Sequence, residues 1–122
     1  MEGSFRFGRE ERLKKRSEIR EVFKKGKRYV SRGDAVCPGA KLFVLKNSLP
    51  RNRICFTFSR GFGTAVMRNR AKRLGREAYR SLKPRLRRGN DLILLVYPDN
   101  DPDLAGRKEQ LRYLAAKAGL LL

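Results

Sequence analysis

The spacing of apolar residues near the start of the chain predicts a short amphipathic helix. Ile19, Val22 and Phe23 follow the i, i+3, i+4 spacing and form one apolar stripe within residues 18–25. We expect Ser17 to cap this helix at its N-terminus and Gly26 to end it. The following segment contains two glycines and a proline, which interrupt regular structure, so only a short strand over residues 34–37 is expected there.

Three apolar segments predict the strands of a sheet. Residues 41–46 indicate a buried strand, and residues 53–59 alternate between large apolar and small or polar side chains. Because only a short turn joins these two strands, we expect them to pair antiparallel. Residues 91–97 are almost continuously apolar, which favours a central strand that is covered on both faces.

Two longer helices complete the pattern. Thr64 is expected to cap a helix over residues 65–83, which Pro84 ends. Asp101 and Pro102 are predicted as the N-cap and first residue of a last helix. The apolar stripe of this last helix consists of Leu104, Leu111, Leu114, Ala115 and Ala118, with Gly119 as the stop.

The order of these elements is helix, strands, helix, strand, helix, which predicts an α+β fold. A mixed sheet of three to four strands with three helices packed on it satisfies the pattern. A chain of 122 residues is expected to form one domain. The polar, charged residues 1–12 are expected to be flexible.

The net charge points to a polyanionic partner. The chain has 31 Lys and Arg against 12 Asp and Glu, a formal net charge of +19, which opposes a compact fold unless an anion offsets it. The charge is uneven, because residues 60–88 carry +10 and residues 89–122 carry −1. It is therefore expected to be directed at one surface.

Nucleic acid is favoured over a membrane as that partner. No apolar stretch approaches the roughly 20 residues of a membrane-spanning helix. The N-terminal residues carry charges where a signal peptide has its apolar region. We therefore expect a cytoplasmic location and no membrane partner.

The helix over residues 65–83 separates into an apolar and a basic face. Its expected core stripe is Met67, Ala71, Leu74, Ala78 and Leu82, and its basic side carries Arg68, Asn69, Lys72, Arg73, Arg76 and Arg80. Like charges four residues apart repel by a few tenths of a kcal/mol, and phosphates along the face reverse that effect. An ordinary solvated face is the alternative, but such faces mix signs and this one holds a single acid, Glu77.

Neither metal binding nor protein-borne catalysis is expected. The chain has no histidine, and its two cysteines, Cys37 and Cys55, cannot complete a four-ligand zinc site. Both are expected to be reduced in the cytoplasm. No pairing of a nucleophile with a general base is apparent, so we expect no catalytic residue in the protein.

Several segments resemble the bacterial ribonuclease P protein family. Residues 65–74, Ala-Val-Met-Arg-Asn-Arg-Ala-Lys-Arg-Leu, resemble the RNR signature of that family. Residues 58–63 are similar to the Ser-Lys-Lys-x-Gly that precedes the signature, with Gly61 in place of the second lysine. Residues 12–26 resemble the first helix of the family, with Ile19 where phenylalanine is common.

The resemblance implies a fold and a set of partners. It implies an α/β sandwich with a left-handed β-α-β crossover, contrary to the usual right hand. The implied partners are a catalytic RNA and precursor tRNA, without DNA, and the implied activity is removal of the 5′ leader of the tRNA. Mg²⁺ is expected to serve the RNA-based reaction, with no cofactor bound by the protein.

The resemblance also implies two RNA-binding regions. The first consists of Arg68, Asn69, Arg70, Lys72, Arg73, Arg76 and Arg80 on the RNR helix, with Ser59 and Arg60 at the end of the preceding strand. The second is a cleft between the first helix and the sheet for the single-stranded leader, with Lys15, Ile19, Phe23, Phe43, Cys55 and Thr57 as candidates. Basic and aromatic side chains together are typical of single-strand grooves.

Two other functions fit the charge. A structural ribosomal or general RNA-binding protein also has a basic surface, but it needs no second site for a mobile single strand. A DNA-binding helix-turn-helix fits less well, because no partner helix lies a short turn upstream of the basic helix.

Overall fold

The fold is a four-stranded mixed sheet with helices on both faces. The computed structural model describes residues 8–31, 33, 39–59, 61, 63–97 and 103–122. Its elements are α1 (Arg16–Lys25), β1 (Lys27–Val30), β2 (Ala40–Lys46), β3 (Arg53–Phe58), α2 (Ala65–Leu82), β4 (Asn90–Val96) and α3 (Leu104–Lys117), with 3-10 turns at Arg9–Glu11 and Lys83–Arg85. Among these residues no helix is both long and apolar enough to cross a membrane. The three predicted helices and the α+β class are confirmed.

The sheet has the strand order β1-β2-β4-β3. β2 is antiparallel to both β1 and β4, whereas β3 is parallel to β4. The expectation that β2 and β3 pair with each other is therefore wrong. β4 lies between them because it is the most apolar strand, with six of its seven residues buried, and the central position covers both of its faces.

β3, α2 and β4 form a β-α-β unit that joins two adjacent parallel strands. The left hand that the resemblance implies for this crossover stays a prediction. The central position of β4, predicted from its apolar run, is confirmed.

β1 was not predicted from the sequence. Its residues pair with β2 from Lys27 opposite Val44 to Val30 opposite Lys41. The strand is short, and three of its four side chains are exposed, so it carries no alternating apolar signal. The strand expected over residues 34–37 lies outside the described residues.

The sheet separates two apolar clusters. The larger lies under α2 and α3 and includes Ile54, Leu92 and Leu94, with Phe56 and Phe58 packed against it. The smaller lies under α1 and consists of Leu13, Val22 and Ile93, with Ile19, Phe43, Leu45 and Cys55 packed against it. The predicted alternation of β3 is confirmed, because its isoleucine and phenylalanines face one cluster and Cys55 faces the other.

α2 begins and is capped as the sequence predicts. The Thr64 hydroxyl accepts a hydrogen bond from the Met67 amide at 3.2 Å. Met67 is nevertheless exposed, contrary to the expected core stripe. All of residues 65–69 are exposed, because only the later turns of α2 lie over the sheet. Gly75 and Tyr79 are buried there together with the predicted alanines and Leu82.

The caps of the other two helices differ from prediction. Lys15, not Ser17, occupies the N-cap position of α1, and Ser17 lies within the first turn. Asp103 caps α3, accepting a hydrogen bond from the Gly106 amide at 2.9 Å. Asp101 and Pro102, the predicted cap, lie outside the described residues. Gly119 has a φ of 72° and ends α3 as predicted.

The apolar stripe of α3 is confirmed at its centre. Leu111, Leu114 and Ala115 are buried, whereas Leu104 and Ala118 are half-buried. Two polar residues share the buried face, and the Arg107 guanidinium donates to Gln110 Oε1 at 2.7 Å. This buried pair is not predicted from the sequence, because Arg and Gln side chains are usually exposed.

The last residues of the N-terminal segment make specific contacts. Glu11 is buried and forms an ion pair with Lys83 at 2.7 Å. The Leu13 amide donates to the Ile54 carbonyl at 3.0 Å, which places this segment beside the outer edge of β3. The flexibility expected for the preceding residues 1–7 stays a prediction, because they lie outside the described residues.

Candidate nucleic-acid interface

The exposed side of α2 concentrates the basic residues. Arg68, Asn69, Arg73, Arg76 and Arg80 are exposed, and Arg70 and Lys72 are half-buried. At about 100° per residue, all except Arg70 fall within an arc of about 140° around the helix. The predicted basic face is therefore a continuous surface, with Arg70 on its flank.

The basic residues of this face differ in their partners. The Arg80 guanidinium donates to Glu77, the single acid of the helix. Arg68 Nη1 donates to the Gly63 carbonyl at 3.0 Å, and Lys72 Nζ lies 5.9 Å from the centroid of the Phe58 ring. Arg73 and Arg76 form no ion pair with any residue that the structure describes. Their guanidinium donors are therefore available to an external anion.

The part of the sheet that α1 leaves uncovered forms the second surface, which we call the α1 groove. α1 covers only part of its face of the sheet, and its residue Phe23 is 41% exposed. Phe23 meets Phe43 of β2 edge to face, with 4.8 Å between ring centroids. Two aromatic rings thus border an open part of the sheet.

At the base of this groove, one residue of β4 is partly exposed. Leu95 is the single residue of that strand that is not buried. In the sheet it lies between Lys41 of β2 and Thr57 of β3. Lys41 Nζ lies 5.9 Å from the centroid of the Tyr97 ring. Lys41, Leu95 and Tyr97 were missed, because only the strand order shows that Leu95 lies beside Thr57 and that Lys41 lies on the other side of Leu95.

Cys55 lies where the α1 groove approaches α2. It is half-buried, and burial raises the pKa of its thiol, while the positive charge of Lys72 acts in the opposite direction. A smaller groove of about 230 Å³ is lined by Cys55 together with Arg12, Lys14, Lys72 and Arg76. The two predicted surfaces therefore meet along the outer edge of β3.

A family profile identifies the chain. The sequence profile described as Ribonuclease P matches residues 7–119. The chain belongs to the ribonuclease P protein family.

Ribonuclease P protein components from several bacteria are similar to it. The protein from Natranaerobius thermophilus is 45% identical over 84 residues, covering 69% of this chain and 68% of that protein. The one from Clostridium botulinum (strain Langeland) is 33% identical over 114 residues, covering 92% and 97%.

Solved ribonuclease P proteins share the fold. A Staphylococcus aureus RNase P protein mutant with defective mRNA degradation activity superposes with a TM-score of 0.79 at 22% identity, over 92% of this chain and 91% of that one. The Thermotoga maritima RNase P protein superposes with a TM-score of 0.70 at 25% identity, over 87% and 96%. The α+β architecture inferred from the sequence is thus that of known ribonuclease P proteins.

The structure brings most of the predicted site residues of this chain together. Ile19, Phe23, Phe43 and Cys55 surround the smaller apolar cluster, and Thr57 lies on the same face of β3. Lys15 is exposed at the start of α1. Ser59 is half-buried, and its amide donates to the Val96 carbonyl at 3.0 Å. Arg60 lies outside the described residues, and the RNA-binding role of each residue stays a prediction.

The described residues do not fit a metal site. No group of three or more Cys, Asp or Glu side chains among them is arranged to hold an ion. Three acids close to the basic surfaces each form an ion pair with a basic side chain. They are Glu11, Glu18 and Glu77.

Proposed function

We propose that this protein is the RNA-binding subunit of a ribonuclease P ribonucleoprotein. The basic face of α2 binds the catalytic RNA, and the groove beside α1 binds the 5′ leader of precursor tRNA. One observation carries the proposal: the cationic face of α2 and the α1 groove, whose aromatic rings lie on α1 and β2, meet at Cys55 of β3. A general RNA-binding protein needs the first surface but not the second.

The α2 face is suited to a folded RNA backbone. Arg73 and Arg76 are three residues apart, so their guanidinium groups lie on the same side of the helix. The planar guanidinium fork matches the oxygens of a phosphate group, and its charge is permanent. Binding several phosphates in this way releases counterions and makes the affinity depend strongly on salt.

The α1 groove is suited to an unpaired strand. Proteins hold single strands by combining a basic groove with aromatic side chains on which bases stack. Phe23 and Phe43 provide the rings, while Lys15 and Lys41 provide positive charge at the start of α1 and on the floor. The half-buried Leu95 and Thr57 leave room for a base between these groups.

The catalytic step is assigned to the RNA. Hydrolysis of the phosphodiester bond needs an activated water and stabilisation of the leaving oxygen, which Mg²⁺ ions held by RNA phosphates supply. The protein lowers the repulsion between catalytic RNA and substrate by placing cations between them, and it orients the leader. A cytoplasmic location follows from these RNA partners.

Reconstitution tests the proposal. The purified protein is combined with a bacterial ribonuclease P RNA, and cleavage of precursor tRNA is measured at low Mg²⁺ with leaders of two and ten nucleotides. We expect the protein to increase cleavage of both substrates and to tighten binding of the longer leader. If the protein binds the RNA but neither stimulates cleavage nor responds to leader length, it is a general RNA-binding protein.

A further inference from the structure

A larger basic pocket lies away from both of these surfaces. It has a volume of about 880 Å³, a size typical of ligand sites, and we call it the β1–α3 pocket. It is lined by Lys25, Lys27, Lys46, Arg87 and Arg88, with Tyr29, Val44 and residues 118–120 among its other walls. Tyr29 and Val44 pack against the larger apolar cluster, so most of the pocket is on the face of the sheet opposite the α1 groove. Lys25, at the end of α1, and Leu45 border it from the α1 side.

The pocket is also at the other end of the strands. It adjoins Lys46 and Asn90, which pair where β2 ends and β4 begins. The opposite end of these strands is the pair Ala40 and Val96, near the start of α2. Six residues of strand separate the two ends, about 20 Å at 3.3 Å per residue. A phosphate in this pocket therefore cannot contact the N-terminal half of the basic face of α2.

Four of the five cations that line the β1–α3 pocket have no ion-pair partner among the described residues. Five of its thirteen lining residues are basic and none is acidic. Lys25 pairs with Glu21 at 3.0 Å, on the exposed surface of α1. Lys27, Lys46, Arg87 and Arg88 form no ion pair with any residue in the described ranges. Four cations around one concave surface repel each other unless an anion enters.

A neighbouring groove shows the contrast. It has a volume of about 560 Å³ and is lined by Arg51, Lys83 and Arg88 together with Glu10 and Glu11. Its cations are largely satisfied within the protein: Lys83 pairs with Glu11, and Arg51 Nε donates to the Glu10 carbonyl at 3.0 Å. Unbalanced charge is thus a property of the β1–α3 pocket rather than of every groove in this basic chain.

The other walls suit a nucleotide better than a small inorganic anion. Tyr29 and Val44 provide apolar surface beside the cations, as an aromatic stacking site for a base requires. The end of α3 also borders the pocket, but its Ala115 and Ala116 carbonyls already accept hydrogen bonds from Leu120 and Gly119. Each of these carbonyls therefore already has one hydrogen-bond donor, which offsets part of its negative charge.

We propose that the β1–α3 pocket binds the phosphodiester backbone of RNA, as a third contact besides the α2 face and the α1 groove. The proposal rests on the RNA-binding function proposed above, and it predicts that RNA contacts both faces of the sheet. Two RNAs offer this backbone, the catalytic RNA and the precursor tRNA. Both supply the same chemistry, and their binding can be measured separately.

The test removes two charges from the pocket. Lys46→Gln with Arg87→Gln changes two exposed side chains that have no ion pair among the described residues, so the fold is expected to persist. The matched control is Arg9→Gln with Lys108→Gln, which removes two equally exposed charges that line none of these grooves. Arg73→Ala serves as the reference for the α2 face.

Binding is measured against salt concentration in two arms. The first arm uses the full-length protein with a bacterial ribonuclease P RNA, and the second uses the assembled holoenzyme with precursor tRNA. We expect the pocket variant to weaken binding in one arm and to lower its log–log salt slope by about two units, one per lost phosphate contact. The arm that changes identifies the RNA, and the control variant leaves both slopes within error of the wild type.

Three outcomes are distinguishable. If both slopes are unchanged in the pocket variant while Arg73→Ala lowers the first, the third contact is wrong and the α2 assignment stands. If the pocket and control variants change the slopes equally, the effect is one of net charge, and the third contact is also wrong. If the wild-type protein binds neither RNA, the proposed function itself is wrong.

Discussion

The ring of Phe23 in α1 meets the ring of Phe43 in β2 edge to face, with centroids 4.8 Å apart and planes inclined by 68°. The contact holds an aromatic side chain at the mouth of the α1 groove while leaving 41% of Phe23 exposed. Much of the ring is therefore open to solvent, where an unpaired base can reach it.

Replacing Phe23 with alanine tests this contact. Because a stacked base contributes about 1–3 kcal/mol, we expect Phe23→Ala to weaken holoenzyme binding of precursor tRNA by about tenfold. Binding of mature tRNA, which lacks the leader, is expected to stay unchanged. Equilibrium binding of both tRNAs provides the measurement, with Leu122→Ala, at another exposed apolar residue, as control. Equal losses for both tRNAs would show that Phe23 acts on the fold and not on the leader.

The ion pair between Arg80 and Glu77 leads to a second prediction. Arg73 has no ion-pair partner in the described part of the chain, so Arg73→Ala is expected to lower the salt slope of catalytic RNA binding by about one unit. Arg80→Ala is expected to lower it less, because Glu77 already offsets part of the charge of Arg80. Binding is measured from 50 to 500 mM salt. The same slope for both variants and the wild type contradicts phosphate contact by this face.

The sequence was informative where a local pattern determines structure. α2 begins at Ala65 and is capped by Thr64, as capping chemistry predicts, because the cap depends on residues three positions apart. The alternation of β3 also placed Cys55 and Thr57 on the groove face correctly relative to the phenylalanines. These features need no knowledge of the neighbouring strands.

The features that were missed depend on contacts between distant segments. The short connection between β2 and β3 favoured a hairpin, but β4 comes between them because burial of its apolar residues outweighs proximity in the chain. Without that order, Leu95 could not be placed between Lys41 and Thr57. The β1–α3 pocket was missed for the same reason, since its lysines and arginines come from three separate parts of the chain.

Gly75 sets how closely α2 packs on β3. A Cβ atom at this position would lie 2.8 Å from the ring of Phe56, closer than side-chain atoms approach each other. Replacing a glycine within a helix by alanine stabilises the helix by about 1 kcal/mol, whereas overpacking a core destabilises the protein by about 1–3 kcal/mol. We therefore expect a net loss of about 1 kcal/mol in the free energy of unfolding, measured by urea denaturation.

A second substitution separates crowding from other effects of Gly75→Ala. In a Phe56→Leu background the ring is absent, so the same change at Gly75 is expected to be neutral or stabilising. The coupling between the two sites follows from a double-mutant cycle. A Gly75→Ala protein that is more stable than the wild type would show that the helix has room to move outward.

The thiol of Cys55 provides a prediction about pH. Burial raises its pKa, so at any given pH less of it is thiolate than for an ordinary cysteine. The rate of alkylation by iodoacetamide is therefore expected to rise with pH along a curve shifted to higher pH than that of free cysteine. Mass spectrometry of the Cys55 peptide distinguishes it from Cys37.

Two variations of this experiment test the surroundings of Cys55. Lys72→Gln removes the charge that lowers the pKa of the thiol, so it is expected to shift the curve further to high pH. Precursor tRNA bound to the holoenzyme is expected to slow alkylation, because Cys55 lies on the groove face. A curve at lower pH than that of free cysteine contradicts the burial, and unchanged alkylation with bound tRNA contradicts its place in the leader site.

Arg53 joins β3 to β4 and to α1 through its guanidinium group. Nε and Nη2 donate to the two carboxylate oxygens of Asp91 at 2.8 and 2.7 Å, and Nη1 donates to Glu18 at 3.2 Å. Hydrogen bonding to Asp91 raises the pKa of Arg53, against the opposing effect of burial. Asp91 is buried and also accepts from Asn47 Nδ2 at 2.8 Å. This network lies beneath the start of α1 and positions it over the sheet.

Arg53→Ala is expected to lower the free energy of unfolding by about 3 kcal/mol, because it leaves the buried Asp91 carboxylate without its main cation. Arg112→Ala, which breaks the exposed pair with Glu109, is the control and is expected to change it by less than about 1 kcal/mol. Arg53→Lys keeps the positive charge but loses the bidentate hydrogen bonding to Asp91, so an intermediate decrease in the free energy of unfolding is expected. Urea denaturation of the three variants provides the measurement. If Arg53→Ala is no less stable than Arg112→Ala, the network does not hold α1 on the sheet, and the groove must be positioned by the apolar cluster beneath α1 alone.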